Sequence, residues 1–244
     1  MISWLIALGC QPEPTCCDSS PPDSEAAWTQ PEAGVVELMT QDDVKLVADY
    51  HPVDQQGAPG VVLLHMNPSG GFHRGNWPAE FITALNGAGY AVINVDRRGS
   101  GDSEGVARQA YTGEKGKWDV EACALRLQED GYGELVLIGA SNGTTSALDY
   151  SAWAGSQDLP VPTASVYMTG GGYTESQTSM EELPEMPVQF TYSTAEKAWS
   201  EQQMPLDPGS WQFDEYADGD HGTKMFEADP SVTQDIVDFL GASL

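Results

Sequence analysis

Leu135-Val-Leu-Ile-Gly139-Ala-Ser141-Asn-Gly143-Thr-Thr-Ser-Ala-Leu-Asp-Tyr150 is the stretch on which the reading of this chain turns. Its apolar run, Leu135 to Ile138, is too short for a buried helix and suits a central strand. The segment after Gly143 spaces Ala147, Leu148 and several small residues as a packed helix does. The pattern is strand, sharp turn, helix, with Ser141 at the apex. A side chain at such an apex takes strained backbone angles, and glycines at 139 and 143 let strand and helix pass close together. The hydroxyl is thereby pushed outward. The N–H of Asn142 and the helix N-terminus behind it face any negative oxygen formed beside Ser141. That is the placement a nucleophile needs. Gly-x-Ser-x-Gly strings also arise by chance in a chain with 26 glycines among 244 residues, so the flanking strand and helix carry the reading, not the string.

Working outward, the hydrophobic pattern alternates strand and helix. Val35–Met39 and Val44–Tyr50 alternate like strands around a turn at Gln41-Asp-Asp43. Val61–His65 and Tyr90–Asp96 are apolar runs of the kind buried on both sheet faces, with a helical pattern from Trp77 to Leu85 between them. Lys117–Asp130 sets Val120, Cys123, Ala124 and Leu127 on one helical face before the Ser141 strand. Ala164–Met168, Pro187–Tyr192 and Trp211–Tyr216 read as three further strands. Asp229-Pro230 opens a last helix on which Val232, Ile236, Val237, Phe239 and Leu240 face the sheet. The expected fold is α/β: a mostly parallel eight-stranded sheet with helices on both faces, entered by an antiparallel hairpin. The connections after Asp149 and after Met168 are short, which leaves no room for a large cap domain.

The remaining composition bounds partners and location. Acidic residues number 37 against 10 basic ones, a formal net charge of −27. A field of that sign repels nucleic acid and anionic headgroups and leaves neutral or cationic small molecules as substrates. Acid-rich, lysine-poor surfaces resemble those of proteins from salty environments, where counterions screen self-repulsion. Of the four cysteines, Cys10, Cys16 and Cys17 lie near the N-terminus and Cys123 in a helical pattern. No Cys-x-x-Cys spacing or neighbouring histidine supports a zinc site.

Residues 1–10 are apolar and end in Leu-Gly-Cys10, which resembles a lipoprotein-type signal, although no Lys or Arg precedes Lys45. Residues 11–34 carry five prolines among Ser, Thr, Asp and Glu and read as a disordered spacer. On that reading Cys10 is a lipid anchor and the protein belongs to the cell envelope. The alternative is a frayed apolar start on a cytoplasmic protein. The folded domain is placed at residues 35–244.

Four stretches together carry a family resemblance: Leu63-Leu-His-Met-Asn67, Gly89-Tyr-Ala-Val-Ile-Asn-Val-Asp96-Arg-Arg-Gly-Ser-Gly-Asp-Ser-Glu-Gly105, the Ser141 turn, and Gly219-Asp-His221-Gly222. Across residues 35–244 the chain resembles the α/β-hydrolase family, and most nearly its small lidless members, the dienelactone-hydrolase-like and serine-aminopeptidase-like enzymes. The resemblance implies a nucleophile, acid, histidine order, with Ser141 first and His221 as base in the loop before the last helix. The acid is implied after the penultimate strand, where Tyr192-Ser-Thr-Ala-Glu196 offers Glu196 in place of the usual Asp; Asp207 and Glu175 are the rivals. The oxyanion hole is implied at the backbone N–H groups of Asn142 and Asn67, with Met66 standing where the family has Gly. Asp96, Arg98 and Ser103 are read as scaffold. The implied activity is hydrolysis of an ester-like bond through an acyl-enzyme, without metal or organic cofactor. An aminopeptidase, an acyltransferase or a non-catalytic binding protein on the same fold stays open.

Overall fold

The computed structural model describes residues 28–244, so the lipoprotein-like segment, Cys10 and the spacer up to residue 27 lie outside the described residues. Eight strands form one sheet: β1 (Gly34–Met39), β2 (Lys45–His51), β3 (Gly60–Leu64), β4 (Ala91–Val95), β5 (Leu135–Ala140), β6 (Pro162–Met168), β7 (Val188–Ser193) and β8 (Trp211–Tyr216). Their spatial order is β1-β2-β4-β3-β5-β6-β7-β8. The β1–β2 and β2–β4 pairs are antiparallel and all the others parallel. The principal helices are α1 (Ala79–Gly87), α2 (Gly116–Glu129), α3 (Gly143–Ala154), α4 (Ala198–Gln203), α5 (Met225–Ala228) and α6 (Ser231–Ser243).

Strand residues divide by parity between two apolar layers, as pleating requires. Val62, Leu64, Leu135 and Leu137 point toward α2 and α3, where they meet Val120, Cys123, Leu127 and Leu148. Val61, Leu63, Val136 and Ile138 point the other way, onto Phe81 and Leu85 of α1 and Val232, Ile236 and Leu240 of α6. Every residue of β3, β4 and β5 is buried, which explains why these strands read as continuous apolar runs rather than alternations. Helix boundaries shift by one or two residues from the expected ones: α1 starts after Pro78 rather than at Trp77, whose ring instead stacks on Phe81. Trp28, within the stretch read as spacer, donates from its indole N–H to Asp130 O at 2.9 Å and packs edge-on against Tyr132. The packing of the folded unit therefore begins before Val35.

From β3 the chain crosses to β4 on one side, and β5 then pairs on the other. In a sheet of this kind, ligands bind outside the C-terminal ends of the strands at such a reversal. Here those ends carry His65-Met66-Asn67 after β3 and Ser141 after β5.

Candidate active site

Ser141 has φ of +50°, one of four non-glycine residues with positive φ among those described. Holding a serine in that region costs about 1–3 kcal/mol, which the surroundings must supply. Two hydrogen bonds do so: Ser141 N–H donates to Met168 O at 2.8 Å, and Ser141 O accepts from the Thr144 hydroxyl at 2.8 Å. Close approach does the rest. A Cβ on Gly143 would stand 2.1 Å from Leu64 O, and one on Gly139 would stand 2.8 Å from Thr144 N, so only glycine lets α3 descend onto the ends of β3 and β5.

At the apex, Ser141 Oγ lies 2.5 Å from His221 Nε2, and His221 Nδ1 lies 2.6 Å from Glu196 Oε2. An ionised carboxylate only accepts, so Nδ1 carries the ring proton and donates to Glu196, leaving the Nε2 lone pair toward the serine hydroxyl. Glu196 ends a single 3-10 turn, Thr194–Glu196, set directly on the end of β7. His221 sits between β8 and α5, its own N–H donating to Asp220 Oδ1 at 2.7 Å. The next residue, Gly222, donates its N–H to Thr169 Oγ1 at 2.8 Å, which ties the histidine loop to the end of β6. The two rivals for the acid lie elsewhere. Asp207 Oδ1 accepts from Gly209 and Trp211 N–H at 2.7 and 3.0 Å, and Glu175 is exposed on the loop after β6.

Around Ser141 a cleft of about 260 Å³ is lined by Met66, Asn67, Phe72, Tyr111, Asn142, Tyr173 and His221. Beside it, and sharing Met66 and Phe72 with it, is a larger groove of about 720 Å³ along Pro78, Phe226 and Pro230. The backbone N–H groups of Asn142, Met66 and Asn67 donate to no acceptor among the described residues, so they are free for a ligand oxygen. The Asn67 side chain is not free: its Oδ1 accepts from Ser69 N–H at 2.8 Å. A hydroxyl beside an imidazole base, a carboxylate behind that base and unpartnered N–H donors can together move a proton and hold a developing oxyanion.

Tyr173 and Arg97 belong to this neighbourhood and were not singled out from sequence. The Tyr173 hydroxyl donates to Thr169 O at 2.7 Å and lies 3.3 Å from Ser141 Oγ; burial pushes its pKa up, so it stays a neutral phenol. Its only sequence signal is an aromatic residue after Gly170-Gly-Gly172. Arg97 is fully buried and holds the Asn142 side chain. Its signal was a second arginine in Asp96-Arg-Arg-Gly99. Its neighbours play the structural parts expected of them. Arg98 pairs with Asp119 and Asp42, Asp96 accepts from Arg74 and Asp102 N–H, and Ser103 Oγ donates to Asp96 O.

The supporting shell is acid-sensitive. His65 is buried behind the loop, accepts the Arg97 N–H at Nε2 and donates from Nδ1 to Met66 O. Burial, and then the Arg97 charge, push its pKa down to about 3. The unfolded chain takes up this proton near the ordinary value of about 6.5, so between that pH and about 3 the unfolded state holds more protons and stability falls as pH drops. Asp42 acts in the same direction. Burial raises its pKa, but the bonds from Arg98, Thr40 and Lys115 outweigh that and hold it well below the usual range. Its contribution is therefore present at neutral pH and lost as pH falls through the folded value. In about 1 M NaCl, where surface repulsion is screened, Tm should decline steadily from pH 7 to pH 4.5; a flat or rising Tm would show that His65 is not kept neutral by the fold.

The sequence matches the Alpha/beta hydrolase family over residues 61–240, well over half of the chain. Among solved structures, an α/β serine hydrolase without lid from Xanthomonas campestris superposes with a TM-score of 0.67 at 14% identity, covering 89% of this chain and 97% of that one. An esterase from Pyrococcus furiosus gives 0.66 at 18% identity, covering 87% and 93%. An esterase from a Rhodococcus species gives 0.65 at 16% identity, covering 86% and 100%. At such identities the likeness is one of fold. No curated protein sequence matches the chain. With the family match spanning β3 to α6 and the sheet order that goes with it, the chain belongs to the alpha/beta hydrolase family, with no large cap among the described residues.

Proposed function

We propose that the protein is a serine carboxylesterase working through an acyl-enzyme on Ser141. His221 takes the Oγ proton as the oxygen attacks the ester carbonyl carbon, and the carbonyl electron pair moves onto oxygen, where the N–H groups of Asn142 and Asn67 receive it. Collapse of that adduct breaks the carbon–oxygen bond to the alcohol, which leaves with the proton held by His221. Water, deprotonated by the same imidazole, then attacks the acyl carbon; the acid departs and the serine is restored. Glu196 holds the Nδ1 proton throughout and stabilises the imidazolium. One observation carries this reading: the unbroken hydrogen-bonded chain Glu196–His221–Ser141, ending on a serine held at positive φ.

The cleft of about 260 Å³ between Phe72, Tyr111 and Tyr173 suits a short acyl group, and the net charge of −27 favours neutral or cationic substrates. A series of p-nitrophenyl esters tests this. kcat/KM should be greatest for acetate or butyrate and fall at least about tenfold by decanoate, each mismatched step being worth of order 1 kcal/mol. Equal or better turnover of aminoacyl anilides would move the assignment to an aminopeptidase, and product release accelerated by added alcohol would move it to an acyltransferase. No turnover of any of these would favour a binding protein.

A further inference from the structure

Two adjacent arginines follow β4, and their surroundings are opposite. Arg98 meets the carboxylates of Asp119 and Asp42. Arg97, fully buried, bonds to neutral oxygens: Nη1 donates to His65 O at 3.1 Å and to Asn142 Oδ1 at 3.0 Å, and Nη2 donates to Ala110 O at 2.6 Å and to Ser146 Oγ at 2.7 Å. A buried cation without a carboxylate beside it is costly. Here burial lowers its pKa only to about 10, with Asp119 and Asp149 acting from a distance, so it remains charged at neutral pH.

Three of these four bonds reach the two walls of the candidate oxyanion hole, and the fourth anchors the guanidinium to Ala110 O. On the serine side, Asn142 and Ser146 stand one turn apart at the start of α3, and the guanidinium grips both. On the other side, peptide planarity transmits the grip. In a trans peptide the C=O and the following N–H point in opposite directions. With His65 O turned inward to Arg97, the Met66 N–H is turned away from it. With Met66 O accepting from His65 Nδ1 at 2.8 Å, the Asn67 N–H is turned outward in the same manner. The His65 ring is itself held by Arg97, whose backbone N–H donates to Nε2 at 3.0 Å. One residue therefore sets the orientation of the N–H donors on both sides of Ser141, with a positive charge behind them.

Resting on the serine-hydrolase reading above, we propose that Arg97 is the positioning residue of the oxyanion hole, a buried guanidinium that fixes the Asn142 and Asn67 donors relative to each other. Scaffold alone would require only that the turn after β4 be filled; the fork geometry reaches residues 65 and 142 at once, which a lysine ammonium at the same place cannot reproduce.

Two variants test this, R97K, which keeps the charge without the fork, and N142A, which removes the direct bond from Arg97 to the donor-bearing residue, the bond to Ser146 remaining, and leaves the backbone N–H of residue 142 in place as that of alanine. Active sites are titrated with a fluorophosphonate, and kcat, KM for p-nitrophenyl acetate and Ki for a trifluoromethyl ketone are measured per titrated site. The ketone forms a hemiketal with the serine whose O⁻ occupies the hole, so its affinity reports donor geometry. We expect kcat to fall about ten- to hundredfold in both variants, below the loss of a whole donor, with KM changed less than about threefold. Ketone affinity should fall in proportion to kcat/KM. Partial unfolding alone would lower the titrated fraction and leave these per-site values at wild type. Wild-type kcat and Ki per titrated site in N142A overturn the proposal, and that variant decides alone if R97K does not fold. Absence of any titratable site in the wild type overturns the serine-hydrolase reading itself, and this proposal with it.

Discussion

Ser141→Ala should lower kcat for p-nitrophenyl acetate by about a millionfold, and adding His221→Ala to it should cost almost nothing more. The non-additivity is the informative part. In the proposed mechanism the hydroxyl and the imidazole 2.5 Å away act as one unit, the oxygen needing a base for its proton. Loss of either forfeits the covalent route, and what persists is the contribution of the oxyanion donors and of binding. The fold tolerates the change, because the turn is held by Ser141 N–H and C=O rather than by Oγ. Tm should move by no more than a degree or two. Comparing the single and double variants on one ester, with an assay able to read the residual rate, checks the result. A double variant much slower than either single one would mean that His221 and Ser141 act separately.

Glu196→Gln should lower kcat about a hundred- to ten-thousandfold, with KM little changed. The amide can still accept from Nδ1 through its oxygen but no longer opposes the imidazolium charge, and its NH₂ group can pair with the ring in the wrong tautomer. The lower part of that range is favoured by exposure. The His221 and Glu196 side chains are 36% and 41% accessible, so water replaces part of what the carboxylate provides, unlike a fully buried pair. Asp207→Asn is the control. Its carboxylate caps Gly209 and Trp211 N–H, so the variant should keep wild-type kcat while losing up to about 1 kcal/mol of stability. Reversal of these two results would transfer the acid role away from the end of β7.

The parts of the fold that could be read from sequence are those governed by local rules. Continuous apolar runs at β3, β4 and β5 indicate strands covered on both faces, and the glycines around Ser141 indicate a turn where backbones touch. Ser141 stands out in the strand, turn and helix pattern itself, whereas His221 and Glu196 follow from the family resemblance, which left Asp207 and Glu175 as rivals for the acid; the structure brings Ser141, His221 and Glu196 into one hydrogen-bonded line. What escaped depends on where loops close. Tyr173 reaches Ser141 only because the connection after β6 folds back, with Tyr173 N–H donating to Gln177 Oε1, which also accepts from Thr145 on α3. Nothing in Gly-Gly-Gly-Tyr indicates that return. Arg97 and Arg98 are neighbours in a polar motif, and only tertiary packing sends Arg98 to carboxylates and Arg97 to Asn142 and Ser146 beside the Ser141 turn. Trp28, in a proline-rich stretch without periodicity, finds a partner 102 positions away.

The central claim is that Ser141 is an activated nucleophile. Its most direct test is incubation of the wild type and Ser141→Ala with a fluorophosphonate probe at low and at molar salt, followed by mass mapping of the modified peptide. The account predicts one adduct per chain in the wild type, on Ser141, and none in the variant. No adduct at either salt concentration, or an adduct on another residue that survives the substitution, would contradict it.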